Sequence, residues 1–204
     1  MTQTAVTPLR RVPVQERSAA RVERMLDACA ELLDEIGYDA TTTKLIAERA
    51  KVAIGSIYQF FPDKRAVVQA LALRYLGAFR DQVIALFKER SFGDWTEAAD
   101  AVVDCYVEMH RTQPGLKVLQ VGEVIDQYLP QAAGPREGET VVQAVAGPLG
   151  TSVEVATRAV TVSLTAADAV LKLAFRRDPQ GDAALVEDAR RLVRGYLEQA
   201  TEDT

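Results

Sequence analysis

The chain predicts an all-α protein. Apolar residues recur at three- and four-residue spacing through most of its 204 residues, no alternating strand-like run is joined by an Asn-Gly or Asp-Gly turn, and Gly and Pro fall between the periodic stretches. About nine helices are expected. The first three after a short arm make a compact unit, and the remainder is a longer helical domain.

Residues 1–16, with Pro8, Pro13 and the pair Arg10-Arg11, read as a flexible basic arm. The first helix runs from Ser18, a good N-cap, to Ile36. Val22, Met25, Leu26, Cys29, Leu32, Leu33 and Ile36 form one apolar stripe. Gly37 is the expected left-handed terminator. "TTTKLIAERA" opens a short helix behind Thr42, and a turn over 51–54 leads to a second one at roughly 55–60. Asp63 then caps a helix from Lys64 to Glu89 or Arg90, roughly 39 Å long at ~1.5 Å per residue.

Asp94-Trp95-Thr96-Glu97 resembles a capping box and starts a helix reaching about Arg111, stopped by Gln113-Pro114-Gly115. Shorter helices are expected over 115–129 and 136–147. Thr151 with Glu154 makes a second capping box for a long apolar helix ended by Arg176-Arg177-Asp178-Pro179. Asp182 caps the last. The domains expected are the arm 1–16, a helix-turn-helix unit 17–63 and a helical domain 64–204.

Hydrophobic content of 48% with 26% charge is enough to bury an ordinary core. No run reaches the ~18 apolar residues of a membrane span, and the N-terminus lacks a signal h-region, so a cytoplasmic protein is expected. The single histidine, His110, and the two separated cysteines, Cys29 and Cys105, form no metal cluster. Neither a phosphate loop nor an acid/base pair at meaningful spacing is present, which argues against an enzyme and against a cofactor. Both cysteines read as buried thiols. The net charge of −5 argues against a protein that coats nucleic acid. Residues 40–65 nevertheless carry five basic residues (Lys44, Arg49, Lys51, Lys64, Arg65) against two acidic ones (Glu48, Asp63), a pointer to a polyanion contact there.

Two short helices joined by a tight turn, with an apolar helix before and a long one after, form a helix-turn-helix layout. In that layout the second short helix places its first residues at base edges in the major groove. Small residues there, Gly55 and Ser56, let the backbone approach closely. Tyr58 has the reach to lie against the sugar-phosphate backbone and a hydroxyl to donate to it. Lys64 adds charge at a helix start.

At these residues the chain resembles the TetR family of bacterial transcriptional regulators. From Gly37 to Lys64, "GYDATTTKLIAERAKVAIGSIYQFFPDK" follows the family pattern of G-[FY], T-T, I-A, A-G-V-S, G-[ST]-[LI]-Y and F-x-x-K. The resemblance implies that Thr42 caps its helix and touches phosphate, that Gly55, Ser56, Tyr58 and Lys64 face DNA, and that Phe61 is core. The full surface expected at DNA is Thr42, Thr43, Lys44, Lys51, Ala53, Gly55, Ser56, Ile57, Tyr58 and Lys64. Three positions depart from the pattern. Lys51 stands where the family usually has Gly, Ala53 replaces a capping Ser, and Phe60 replaces a common His.

The resemblance further implies a homodimer on a palindromic double-stranded operator, with a small-molecule effector held by the C-terminal domain. Phe79, Val83, Trp95, Val103, Tyr106, Met109, His110, Leu116 and Tyr128 fall on the helices that would enclose an apolar or aromatic effector. The last two helices, about 153–176 and 183–200, would form a dimer bundle through Ala159, Leu164, Ala167, Val170, Leu171, Leu192 and Tyr196. Repression is implied by the family, with effector binding tilting the helix 64–89. The alternative is a helical small-molecule-binding or interaction protein without specific DNA binding. Specific, salt-dependent DNA binding separates the two.

Overall fold

The structure, a computed structural model, describes residues 16–119 and 152–202. Among these, every regular element is helical: α1 Glu16–Ala40, α2 Thr43–Arg49, α3 Ile54–Phe60, α4 Lys64–Glu89, α5 Trp95–Thr112, a 3₁₀ turn Leu116–Val118, α6 Val153–Arg177 and α7 Ala183–Glu202. That is seven α-helices in place of about nine. The helix expected over 115–129 gives only the 3₁₀ turn in its described part, and the one expected over 136–147 lies outside the described residues, as does the arm 1–16 apart from Glu16. The chain divides into two compact units, residues 1–75 with 113–119, and residues 76–112 with 120–204.

In the first unit, α1 buries Met25, Leu26, Cys29, Leu32 and Leu33 against a core completed by Ile46, Ile57, Phe60, Phe61, Val67 and Leu71. Burial pushes the Cys29 thiol up to about 12, so it is an inert apolar group. Cys105, in the second unit, is only half-buried. Helix α1 starts before the expected cap, so Ser18 lies inside it. It breaks at Gly37, whose backbone (φ 75°, ψ 177°) is not left-handed helical but a conformation open almost only to glycine.

The outer face of α1 carries acids at four-residue intervals. Arg74 of α4 bonds Glu23 (3.0 Å) and Asp27 (2.7 Å), while Arg49 of α2 bonds Glu31 (3.0 Å) and Glu35 (2.8 Å). Asp34 takes Lys117 at 2.8 Å and the Gly115 amide at 3.3 Å. The Lys117 hydrogen bond holds the Asp34 carboxyl below its usual range. Single exposed pairs are worth little, but here one acidic face positions two other helices and the 113–119 segment.

The turn between α2 and α3 is a Schellman cap. Lys51 adopts φ 54°, its amide donates to the Glu48 carbonyl (3.2 Å), and the Val52 amide donates to the Ala47 carbonyl (3.0 Å). Lysine fills the glycine position of that motif. Ala53 follows as the N-cap of α3 and has no side chain to cap with. Asp63 caps α4 by accepting from the Ala66 amide at 2.9 Å.

In the second unit, α5, α6 and α7 pack together with the later part of α4. Asp94 accepts from the Glu97 amide (2.9 Å), and Glu97 bonds back to the Gly93 amide (2.9 Å), one residue earlier than a standard capping box requires. Helix α6 is capped by Ser152, whose hydroxyl accepts from the Val155 amide at 3.3 Å, and not by Thr151 as the spacing suggested. Asp182 caps α7 through the Ala184 (3.0 Å) and Leu185 (3.2 Å) amides. Helix α7 is clamped to α5 by Arg190 on Asp104 and a two-pronged Arg194 on Asp100.

Gly115 sits at φ 73°, and a β-carbon there would lie 2.7 Å from the Ala30 carbonyl oxygen. Gly115→Ala should therefore lower unfolding free energy by about 2–3 kcal/mol, read by urea denaturation. The reverse holds at the α2–α3 turn. Lys51→Gly relieves the left-handed strain and Ala53→Ser restores a cap, each raising stability by about 0.5–1 kcal/mol in the same assay.

Candidate nucleic-acid interface and effector site

Helix α3 has seven residues and two faces. Ile57 (0% exposed) and Phe60 point into the core, with Phe61 just beyond, while Ile54, Gly55, Tyr58 (45%) and Gln59 face outward and Ser56 lies between. This corrects one expectation: Ile57 anchors the helix and cannot reach a base edge. Gln59, which the sequence reading passed over, sits on the outer face beside Gly55 and brings both a donor and an acceptor.

The other expected residues surround that face. Thr42 is exposed, and its Oγ1 accepts from the Leu45 amide at 3.2 Å, so it caps α2 as anticipated. Thr43 Oγ1 and Tyr58 Oη lie 3.1 Å apart, which links α2 to α3 and fixes the tyrosine ring. Lys44, Lys51 and Ala53 are exposed, with Glu48 3.9 Å from the Lys44 ammonium. Lys64 is half-buried. Its Nζ donates to the Tyr38 carbonyl at 2.7 Å and lies 4.1 Å above the Tyr38 ring. Tyr38 was not anticipated as its partner. Two further Nζ protons remain for another acceptor. Arg49 is spent on Glu31 and Glu35, so the positive charge left on this surface is smaller than the sequence count suggests.

The residues expected to line an effector site separate into groups. Phe79 and Val83 of α4 and Val103, Tyr106, Met109 and His110 of α5 are buried in the second unit. Leu116 is also buried and belongs to the first unit. Trp95 is half-buried at the start of α5, about 22 Å along the helix from His110 at ~1.5 Å per residue. Tyr128 lies outside the described residues.

Around His110 the structure adds residues that periodicity did not single out. The Tyr106 ring lies 5.2 Å from Phe79 and 4.8 Å from His110, and His110 lies 5.0 Å from Phe175 of α6. Tyr106 Oη donates to Asp168 at 2.6 Å, and Lys172 Nζ reaches the other carboxylate oxygen at 2.6 Å. Burial, then the adjacent Asp168 charge, raises the Tyr106 phenol well above its usual value. Asp168 is only 4% exposed, yet both of its oxygens are paired. His110 Nδ1 lies 3.2 Å from the Tyr106 carbonyl oxygen, which can only accept. The ring therefore carries its proton on Nδ1, leaving Nε2 a bare acceptor, buried and without a partner among the described residues.

The expected dimer residues also divide. Ala159, Leu164, Ala167 and Leu171 are already buried within one chain, so they pack α6 inside the protomer and cannot form its outer surface. Leu192 is exposed, and Val170 and Tyr196 are partly so. Val162, not anticipated, is exposed as well.

Desolvation lowers the His110 pKa from its model-compound value of 6.5. The unfolded chain then binds a proton that the folded chain resists, so stability is full above 6.5 and falls as pH drops below it. Thermal melts should show Tm declining between pH 6.5 and about 5, before carboxylates titrate. His110→Phe should flatten that window, since the chain has no other histidine.

Residues 25–71 match the model of "Bacterial regulatory proteins, tetR family", and residues 93–201 match "Tetracyclin repressor-like, C-terminal domain". A TetR-family transcriptional regulator from Streptomyces coelicolor, solved by crystallography, is 40% identical with a TM-score of 0.73, over 90% of this chain and 98% of that one. The repressor KstR of Rhodococcus jostii is 43% identical over 56 residues, 27% of this chain and 26% of KstR. The uncharacterised regulator YvkB of Bacillus subtilis is 49% identical over 49 residues, 24% of this chain and 26% of YvkB. The chain thus spans about a quarter of the length of these curated relatives. The two family models fall on the helix-turn-helix and on the helices that carry His110 and Asp168. The chain belongs to the TetR family of bacterial regulatory proteins.

Proposed function

We propose that the protein is a sequence-specific DNA-binding transcriptional regulator, a cytoplasmic repressor released from its operator by a small apolar or aromatic effector, and not an enzyme. The observation that carries this reading is the outer face of α3. Gly55, Ser56, Tyr58 and Gln59 stand clear of the core while Ile57, Phe60 and Phe61 lock the helix from behind. Such a helix presents small residues for close approach and polar ones for base edges and phosphates. We assign DNA reading to residues 17–63 and the effector and dimer functions to 64–204. Repression, in place of activation, rests on family membership and on KstR being a repressor.

One module makes few contacts, and two held about 34–36 Å apart read successive major grooves of a palindrome. The surface suited to pairing is the exposed apolar side of α6 and α7 at Val162, Val170, Leu192 and Tyr196. Effector binding weakens DNA occupancy by its differential affinity for two states, with a coupling of ~1–3 kcal/mol.

The test is titration of the full chain against the DNA upstream of its own gene, with scrambled competitor at physiological salt. Tyr58→Ala should weaken specific binding by about 5- to 100-fold while leaving the fold intact. Lys44→Ala should weaken binding to all sequences alike and reduce the salt slope by about one. Gly55→Ala meets nothing within 4 Å, so it should stabilise α3 by about 0.5–1 kcal/mol yet impair operator binding. Binding no better than to scrambled DNA, there and in a genome-wide selection, refutes the regulator reading. Leu192→Glu should convert the species seen by sedimentation equilibrium from dimer to monomer. A wild-type monomer at working concentration would refute the dimer.

A further inference from the structure

Among the described residues, the polar cluster around His110 is satisfied at every atom but one. Tyr106 donates to Asp168, Lys172 neutralises the same carboxylate, and His110 Nδ1 meets the Tyr106 carbonyl. What remains is His110 Nε2, on a side chain only 7% exposed, set among the rings of Tyr106 and Phe175. A buried acceptor without a donor carries a desolvation cost, and such atoms are few in native structures. Among the described residues, Ser163 Oγ is also a buried side-chain atom without a partner. Its rotatable hydroxyl can donate or accept, so it selects no one ligand chemistry.

Given the effector-controlled reading above, on which this rests, we infer that the effector is a neutral aromatic hydroxyl compound whose O–H donates to His110 Nε2. The tautomer selects the chemistry. A bare lone pair repels a carboxylate or phosphate, and the positive charge of Lys172 is already matched by Asp168. A hydroxyl supplies the missing donor without adding net charge to the interior. The rings of Tyr106 and Phe175 beside the imidazole suit an aromatic body, through offset or edge contacts.

Three probe pairs test this on the full chain: phenol with toluene, 2-naphthol with 2-methylnaphthalene, and 4-phenylphenol with 4-methylbiphenyl. By calorimetry, at least one hydroxyl probe should bind about tenfold tighter than its methyl counterpart, the loss expected when a buried acceptor is left unpaired. His110→Phe should bring that ratio close to one. Because His110 is the sole histidine, ring-nitrogen NMR reads it without mutation. The free protein should show protonated Nδ1 and bare Nε2, and the Nε2 resonance should move with the hydroxyl probe and not with the methyl one. An Nε2–H tautomer, no binding by any of the three phenols, equal affinities within each pair, or a ratio unchanged in His110→Phe overturns the inference. Operator release is followed separately by fluorescence anisotropy. A histidine response without DNA release supports the site and refutes ligand control of DNA binding. Release without a histidine response supports ligand control and refutes the site.

Discussion

A helix of seven residues does not hold together in water, because nucleation costs more than two turns of hydrogen bonds return. Everything proposed for α3 therefore depends on burial of Ile57, Phe60 and Phe61 behind it. These three side chains set the rotation of the helix about its axis, and that rotation decides which residues meet DNA. Intrinsic signals work against α3. Its cap residue is Ala53, which offers no side-chain acceptor, its second residue is Gly55, and the preceding turn holds Lys51 in a left-handed conformation. Local sequence costs stability at three successive points, and tertiary packing restores it. Gly55 and Lys51 are also the positions where close approach and positive charge serve a DNA-binding surface, so the cost falls where function gives a reason for it.

How much of this was legible in the chain depended on the range of the cause. Caps act within three residues, and Thr42, Asp63, Asp94 and Asp182 were all readable as such. The strain at Lys51 was readable too, as a departure from a glycine position. Two helical turns give too few residues to define a phase, so the inward side of Ile57 is set only by packing with Phe60 and Phe61. That Leu116 belongs to the first unit follows from contacts across some eighty positions, Gly115 with Asp34, that no local pattern records. In α6 the alanines form a stripe whether they pack inside one chain or between two. Periodicity reports that a face is covered and not what covers it.

Asp168 and Lys172 show the same limit in polar form. Four residues apart on a helix, they read as an ordinary surface ion pair, a motif worth a few tenths of a kcal/mol. Tyr106, sixty-two residues earlier, changes their meaning by drawing the carboxylate into the interior. Once the charge is there, both oxygens must be satisfied, which explains why lysine and tyrosine each claim one. The charge count near α2 and α3 overstates the basic surface for the mirror-image reason. Arg49 counts as charge in the sequence but is consumed by the acids of α1 in the fold.

His110 is the exception. The fold satisfies a buried carboxylate, a phenol and one imidazole nitrogen within a few ångströms, so it has the means to satisfy the other. The rings of Tyr106 and Phe175 lie 4.8 and 5.0 Å from the imidazole. A molecule that brings a donor recovers the desolvation cost held at Nε2, whereas an analogue without one leaves it in place. Sites built this way discriminate by rejection more than by attraction. That difference is also the kind of quantity a switch requires, since a ligand moves an equilibrium only by binding its two states unequally. If the conformer that releases DNA is the one in which Nε2 meets the hydroxyl, one hydrogen bond of ordinary strength supplies a tenfold bias. The family's all-helical frame then needs no larger device than an unpaired nitrogen to couple effector chemistry to operator occupancy.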